Sequence, residues 1–211
     1  MSKKKILSLC LVIALAAVAV LGGTLAYFTD TAENTNTFTM GNVAITLDEA
    51  PVERVEDEWV ADEEAPRVEA NEYANIYPGV VLPKDPTVHN IGSYGAYVRV
   101  KITADLEALT GMQAEEDLTN ILDIDTDNWI FVEKVVDEEA GTVTFIYNYN
   151  SELEAGDDTS AVFTEVSIPA ALTNEDIEEY GLDKFEIKIV AEAIQADSFA
   201  DVTEAFAEYD A

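Results

Sequence analysis

The chain has 211 residues, and its 43 acidic side chains against 11 basic ones give a formal net charge of −32 at neutral pH. A surface of that sign repels polyphosphate and anionic lipid, so nucleic-acid binding is excluded, while divalent cations and basic partners are attracted. The single cysteine, Cys10, falls early in an N-terminal apolar run, so the remainder must stand without a disulfide, which one core of this length permits.

Met1-Ser-Lys-Lys-Lys5, the apolar stretch from Ile6 to Leu21 and Gly22-Gly-Thr-Leu-Ala26 read as the basic head, hydrophobic core and small-residue cleavage site of a secretory leader. The apolar stretch is short for a hydrocarbon layer of ~30 Å, and cleavage between Ala26 and Tyr27 leaves no stable membrane span. Leu9 is too large for a lipoprotein-type cut before Cys10. An acidic, exported chain with this cysteine economy fits the cell surface of a Gram-positive bacterium.

Beyond residues 1–26, the pattern divides into an extended segment at 27–38 and one β-rich domain at 39–211. Tyr27, Phe28 and Phe38 bracket a Thr/Asn-rich stretch that is β-compatible and has no core face of its own. Val43, Ile45 and Leu47 alternate with polar residues, as in a half-buried strand. Residues 48–72 are an acidic insertion, either a solvated loop or a short edge hairpin, with Trp59 positioned to tack it to the domain. Pro78-Gly79 marks a turn. Val80 to Asn90 reads as a strand that Pro83 and Pro86 confine to an edge or a bulge.

Ala96 to Thr103 is the clearest strand, with Val98, Val100 and Ile102 toward the core and Tyr97, Arg99 and Lys101 on the other side. Leu118, Ile121 and Leu122 share a face of a helix over 114–122. Trp129–Val136 and Thr142–Tyr149 form a hairpin in which Gly141 supplies a positive φ. A strand follows from Ala161 to Ile168. Thr173-Asn-Glu-Asp176 opens a short helix that Gly181 closes. A last strand runs from Phe185 to Ala193, and Ser198 with Asp201 caps a terminal helix ending at Tyr209. Seven strands with few helices predict a mainly β fold, an antiparallel jelly-roll-like sandwich.

Three stretches carry a family resemblance: Leu21-Gly-Gly-Thr-Leu-Ala-Tyr-Phe-Thr-Asp30 running into Phe38-Thr-Met-Gly-Asn-Val43; Tyr77-Pro-Gly79 with Lys84–Asn90 and Tyr97–Lys101; and Phe185–Gln195. Together they resemble the TasA/camelysin family of exported Gram-positive matrix proteins, whose leaders are similar to those cut by a SipW-type signal peptidase. The resemblance implies a jelly-roll-like sandwich and a biofilm-matrix or cell-surface structural role, with fibres built by N-terminal donor-strand exchange between copies or with a related matrix protein. The 27–38 segment supplies a donor for such strand addition, and unlike donor and acceptor surfaces give an open filament. The same segment can instead fold back onto its own domain, leaving a monomeric adhesin or accessory fibre subunit. Relatives resembling camelysin are described as surface metalloendopeptidases, which is the alternative activity.

The residues supply little for that chemistry. A zinc protease of the common kind needs several imidazoles and a carboxylate base. This chain has one histidine, His89, beside a predicted turn. Gly92-Ser93-Tyr94-Gly95 is a turn composition rather than a nucleophile elbow. No catalytic residue and no cofactor is assigned. Asp123, Asp125 and Asp127 begin like a calcium loop, but Asn128 stands where the turn glycine belongs and Lys134 where the closing carboxylate belongs. Weak, diffuse divalent-cation binding over the acidic surface is the expectation.

Overall fold

The computed structural model describes residues 41–211. The leader, the Ala26/Tyr27 cleavage point and the donor residues Tyr27, Phe28 and Phe38 lie outside the described residues.

Alternation writes the central layer. Strands β6 (Ala96–Asp105), β7 (Trp129–Asp137), β8 (Thr142–Tyr149) and β10 (Ile187–Gln195) form an antiparallel sheet in the order β10-β6-β8-β7. Val100 pairs with Tyr147 and Ile102 with Phe145, so one face of two neighbouring strands is wholly apolar, and all four side chains are buried. Between β7 and β8, Asp137 accepts from the backbone N–H groups of Glu139 and Ala140, and Gly141 sits at φ 66°. That is the positive-φ position the hairpin required.

The facing layer is made of shorter pieces. β1 (Ile45–Asp48) pairs with β5 (Thr87–Asn90), and β4 (Val81–Pro83) pairs with β9 (Glu165–Ser167), all antiparallel. The backbone of 157–162 completes this layer along β5 and the residues before it, through Asn90 N to Asp157 O, Thr159 N to Val88 O and Val162 N to Pro86 O. Val88, Leu82, Phe163 and Val166 from this layer meet Val98, Val100, Val143 and Phe145 from the first in one cluster, closed by Trp129, Leu109 and Leu118. Burying each such side chain contributes about 1.5–3 kcal/mol. The result is a mainly β antiparallel sandwich with a few short helices.

Several expectations need correction. Ten strands, not seven, are present among the described residues. Val80–Asn90 is two strands, because Pro83 and Pro86 leave only three- and four-residue runs able to keep a ladder. β5 is not an edge, since β1 lies on one side and Asp158 bridges to His89 on the other. The 161–168 strand shortens to β9, and the last strand starts and ends two residues later than its alternation suggested.

The helix expected at 114–122 is replaced by α1 (Leu106–Gly111), with Asp105 as its N-cap, and by a 3-10 turn at Leu118–Asn120. Leu118, Ile121 and Leu122 are buried there all the same, because a tight turn also brings residues three apart onto one side. α2 (Asn174–Glu179) carries the Thr173/Asp176 capping box, and Gly181 follows at φ 63°. The cap of α3 (Val202–Tyr209) is Asp201, which accepts from Thr203 N and Glu204 N; Ser198 belongs to the preceding 3-10 turn.

The acidic insertion contains a hairpin, β2 (Val52–Val55) with β3 (Glu58–Ala61), turned at Glu56 and Asp57 with φ 48° and 73°. Trp59 meets the Tyr73 ring edge-on at 5.1 Å, as its position suggested. The insertion is not simply solvated, however. Glu49 is 2% exposed, and the Glu49–Val68 bridge ties its two ends together.

Candidate functional site

Two strand edges face one another across a cleft. Among the described residues β10 pairs with β6 alone, and the Ile45–Asp48 run of β1 pairs with β5 alone. Between them lies a cleft of about 780 Å³, walled by residues 69–73, at the end of the insertion, on one side and 184–189 on the other, with Leu47, Leu82 and Val166 in its lining. The core-side residues of β10, Ile187, Ile189, Ala191 and Ala193, are only half-buried, whereas their register partners on β6 are at most 5% exposed. The apolar core is therefore uncovered along this seam.

One wall of the seam is fixed by ion pairs. His89 presents Nδ1 to Asp158 at 2.6 Å and Nε2 to Asp48 at 2.8 Å. A neutral imidazole has one donor, so both contacts together call for the imidazolium. Burial opposes that charge, but the hydrogen bonds and negative charges of Asp48 and Asp158 outweigh it and raise the His89 pKa. Asp48 also accepts from Arg67, whose Nη1 reaches Asp85 at 2.7 Å, while Asp85 accepts from Ala50 N. Burial pushes the Asp48 carboxyl up, yet the bonds from Arg67 and His89 hold it below the usual range. Further along, Glu49 accepts from Lys84 and from Asn71.

The three aspartates of the calcium-like stretch do not converge on a common point. Asp123 accepts from Thr164 N and Glu165 N, both at 2.8 Å, and from the Thr164 hydroxyl. Asp125 accepts from Asn128 Nδ2 and the Ser160 hydroxyl, which lower its pKa. Asp127 offers its carbonyl to Asn150. These side chains pin the loop before β7 to the 160–165 backbone. Sequence reasoning missed Asp48 and Asp158 as partners of His89, and Arg67 and Asp85 as the pair that extends the network from Asp48; they are scattered through the chain, and no local pattern joins them.

A family model described as camelysin metallo-endopeptidase matches residues 2–198. The chain belongs to the camelysin family. No curated protein and no solved structure matches it. The family description implies a metal, and the described residues do not fit one. Among them no group of three or more His, Cys, Asp or Glu side chains is placed to hold an ion. The lone imidazole has both nitrogens turned to carboxylates, leaving no lone pair for a metal. Among the described residues no helix is long and apolar enough to cross a membrane.

Proposed function

We propose that this camelysin-family chain is an exported surface or matrix protein that assembles head-to-tail, with residues 27–38 of one copy entering the β1/β10 seam of the next. The observation that carries this reading is the seam itself: two strand edges, unpaired among the described residues, border a cleft whose apolar floor is incompletely covered. An entering strand satisfies main-chain groups on one of these edges and places alternate side chains against Leu47, Ile187 and Ile189. Cleavage before Tyr27 frees the donor, so export and assembly are coupled.

A synthetic peptide spanning residues 27–38 tests the seam directly. It binds a chain that begins after Phe38, and Ile189→Asp, which places a charge on the cleft wall, weakens that binding at least tenfold. Binding unaffected by Ile189→Asp removes the seam from the account. The family description favours a second reading, a surface metallo-endopeptidase. Chelator-sensitive peptide cleavage that is lost in His89→Ala would support a His89-centred site, and cleavage that persists in that variant would place it elsewhere.

A further inference from the structure

The inner end of the acidic insertion brings an amine, a carboxamide and a carboxylate together. Glu49 is 2% exposed, and the Lys84 side chain is 14% exposed. Glu49 Oε2 accepts from Lys84 Nζ, while Oε1 accepts from Asn71 Nδ2 at 2.9 Å and from the Asn71 backbone N–H at 2.6 Å. Lys84 Nζ and the Asn71 amide nitrogen thus sit side by side on the two oxygens of one carboxylate. The orientation of the amide is set by its other contacts: Oδ1 accepts from Val52 N at 2.9 Å, and Nδ2 also donates to Ala50 O at 2.8 Å. Tyr73, which lines the cleft beside the group, donates its hydroxyl to Pro83 O and packs edge-on against Trp59.

We infer that Lys84 and Asn71 condense into an intramolecular isopeptide bond with Glu49 as the proton carrier. Glu49 takes a proton from the Lys84 ammonium, and the freed Nζ lone pair adds to Asn71 Cγ. The Val52 N–H, already on Oδ1, stabilises the charge that develops there. Glu49 then passes that proton to Nδ2 and takes the second proton from Nζ, the Cγ–Nδ2 bond breaks, and ammonia leaves, with Glu49 left neutral until it releases its proton to solvent. One amine and one primary amide become one secondary amide and one ammonia, so no oxidant or co-reactant is needed. Holding the reactants on one carboxylate turns a bimolecular condensation into a unimolecular step. The product replaces a buried ion pair, which brings little net stability, with a covalent tie. It fastens the cleft wall at Asn71 to the end of β4 in a chain whose only cysteine is Cys10.

Mass spectrometry of the purified chain decides it. The expected intact mass is lower than the sequence mass by one ammonia, trypsin leaves the Lys84–Asp85 bond uncut, and the resulting 68–99 peptide carries the whole deficit. Lys84→Arg, Asn71→Ala and Glu49→Gln each restore full mass, and Asn71→Asp shows the loss of one water instead. A wild-type chain of full mass, readily cut after Lys84, overturns the proposal whatever the variants do. So does an ammonia deficit that survives in Lys84→Arg, since that marks a succinimide at asparagine rather than a cross-link.

Discussion

His89 is bonded to two carboxylates from distant parts of the chain, 41 and 69 residues away. A lone imidazole was visible in the sequence; that Asp48 and Asp158 would close on both of its nitrogens was not, because only the pairing of β5 with β1 and with the 157–159 backbone brings them there. The sign of its effect follows from the raised pKa. The folded state binds the proton more tightly than the unfolded chain, so the contribution is complete below the ordinary imidazole value of about 6.5 and is lost as pH rises through the folded pKa. Urea midpoints of the wild type therefore fall over that alkaline interval, and His89→Gln flattens the fall. An unchanged pH profile in the variant would dissociate His89 from the stability of this wall.

Arg99 makes a second residue-scale case. The alternation of β6 assigned it to the face opposite the core, and that face is covered by α3: Arg99 is 4% exposed, bonds Glu192 and Asp210, and lies 4.4 Å from the Phe206 ring centre. Removing this buried cation strands Glu192 with Lys101 alone. Arg99→Ala is expected to cost about 3 kcal/mol in urea unfolding. Asp210 is 54% exposed on its side chain, so Asp210→Ala should cost about 1 kcal/mol or less. Equal losses in the two variants would contradict this ranking.

At the scale of elements, legibility followed the length of the pattern. β6, β8 and the β7–β8 turn were readable because eight to ten residues of alternation and one glycine agree with each other. α1 was not, since six residues give less than two turns of periodicity and the same apolar residues satisfy a strand continuation. The seam was illegible for a different reason: β1 and β10 each show ordinary alternation, and nothing local states which edge stays unpaired. β7 is the opposite edge of the sheet and exposes Ile130, Phe131, Val132, Val135 and Val136 by 41–52%. Glu133, Lys134 and Asp137 interrupt that apolar edge, with Lys134 bonded to Glu116. The double variant Glu133→Val/Lys134→Val should scatter light on mild warming at concentrations where the wild type stays clear. A variant as soluble as the wild type would show that the charges do not guard this edge.

For the whole molecule, charge and assembly oppose one another. A formal net charge of −32 makes copies repel, so head-to-tail contact should tighten with added salt as the screening length shrinks to about 10 Å at 0.1 M. The sandwich class was readable because it depends on summed strand patterns; the seam and its ion-paired wall depend on pairings between distant segments. The most direct test of the account is negative-stain electron microscopy, with and without salt, of a chain beginning at Tyr27 beside one beginning after Phe38. The account predicts ordered filaments, favoured by salt, from the first chain and folded, unassembled particles from the second. Filaments formed equally by both chains, or unassembled particles from both at every salt concentration, would contradict it.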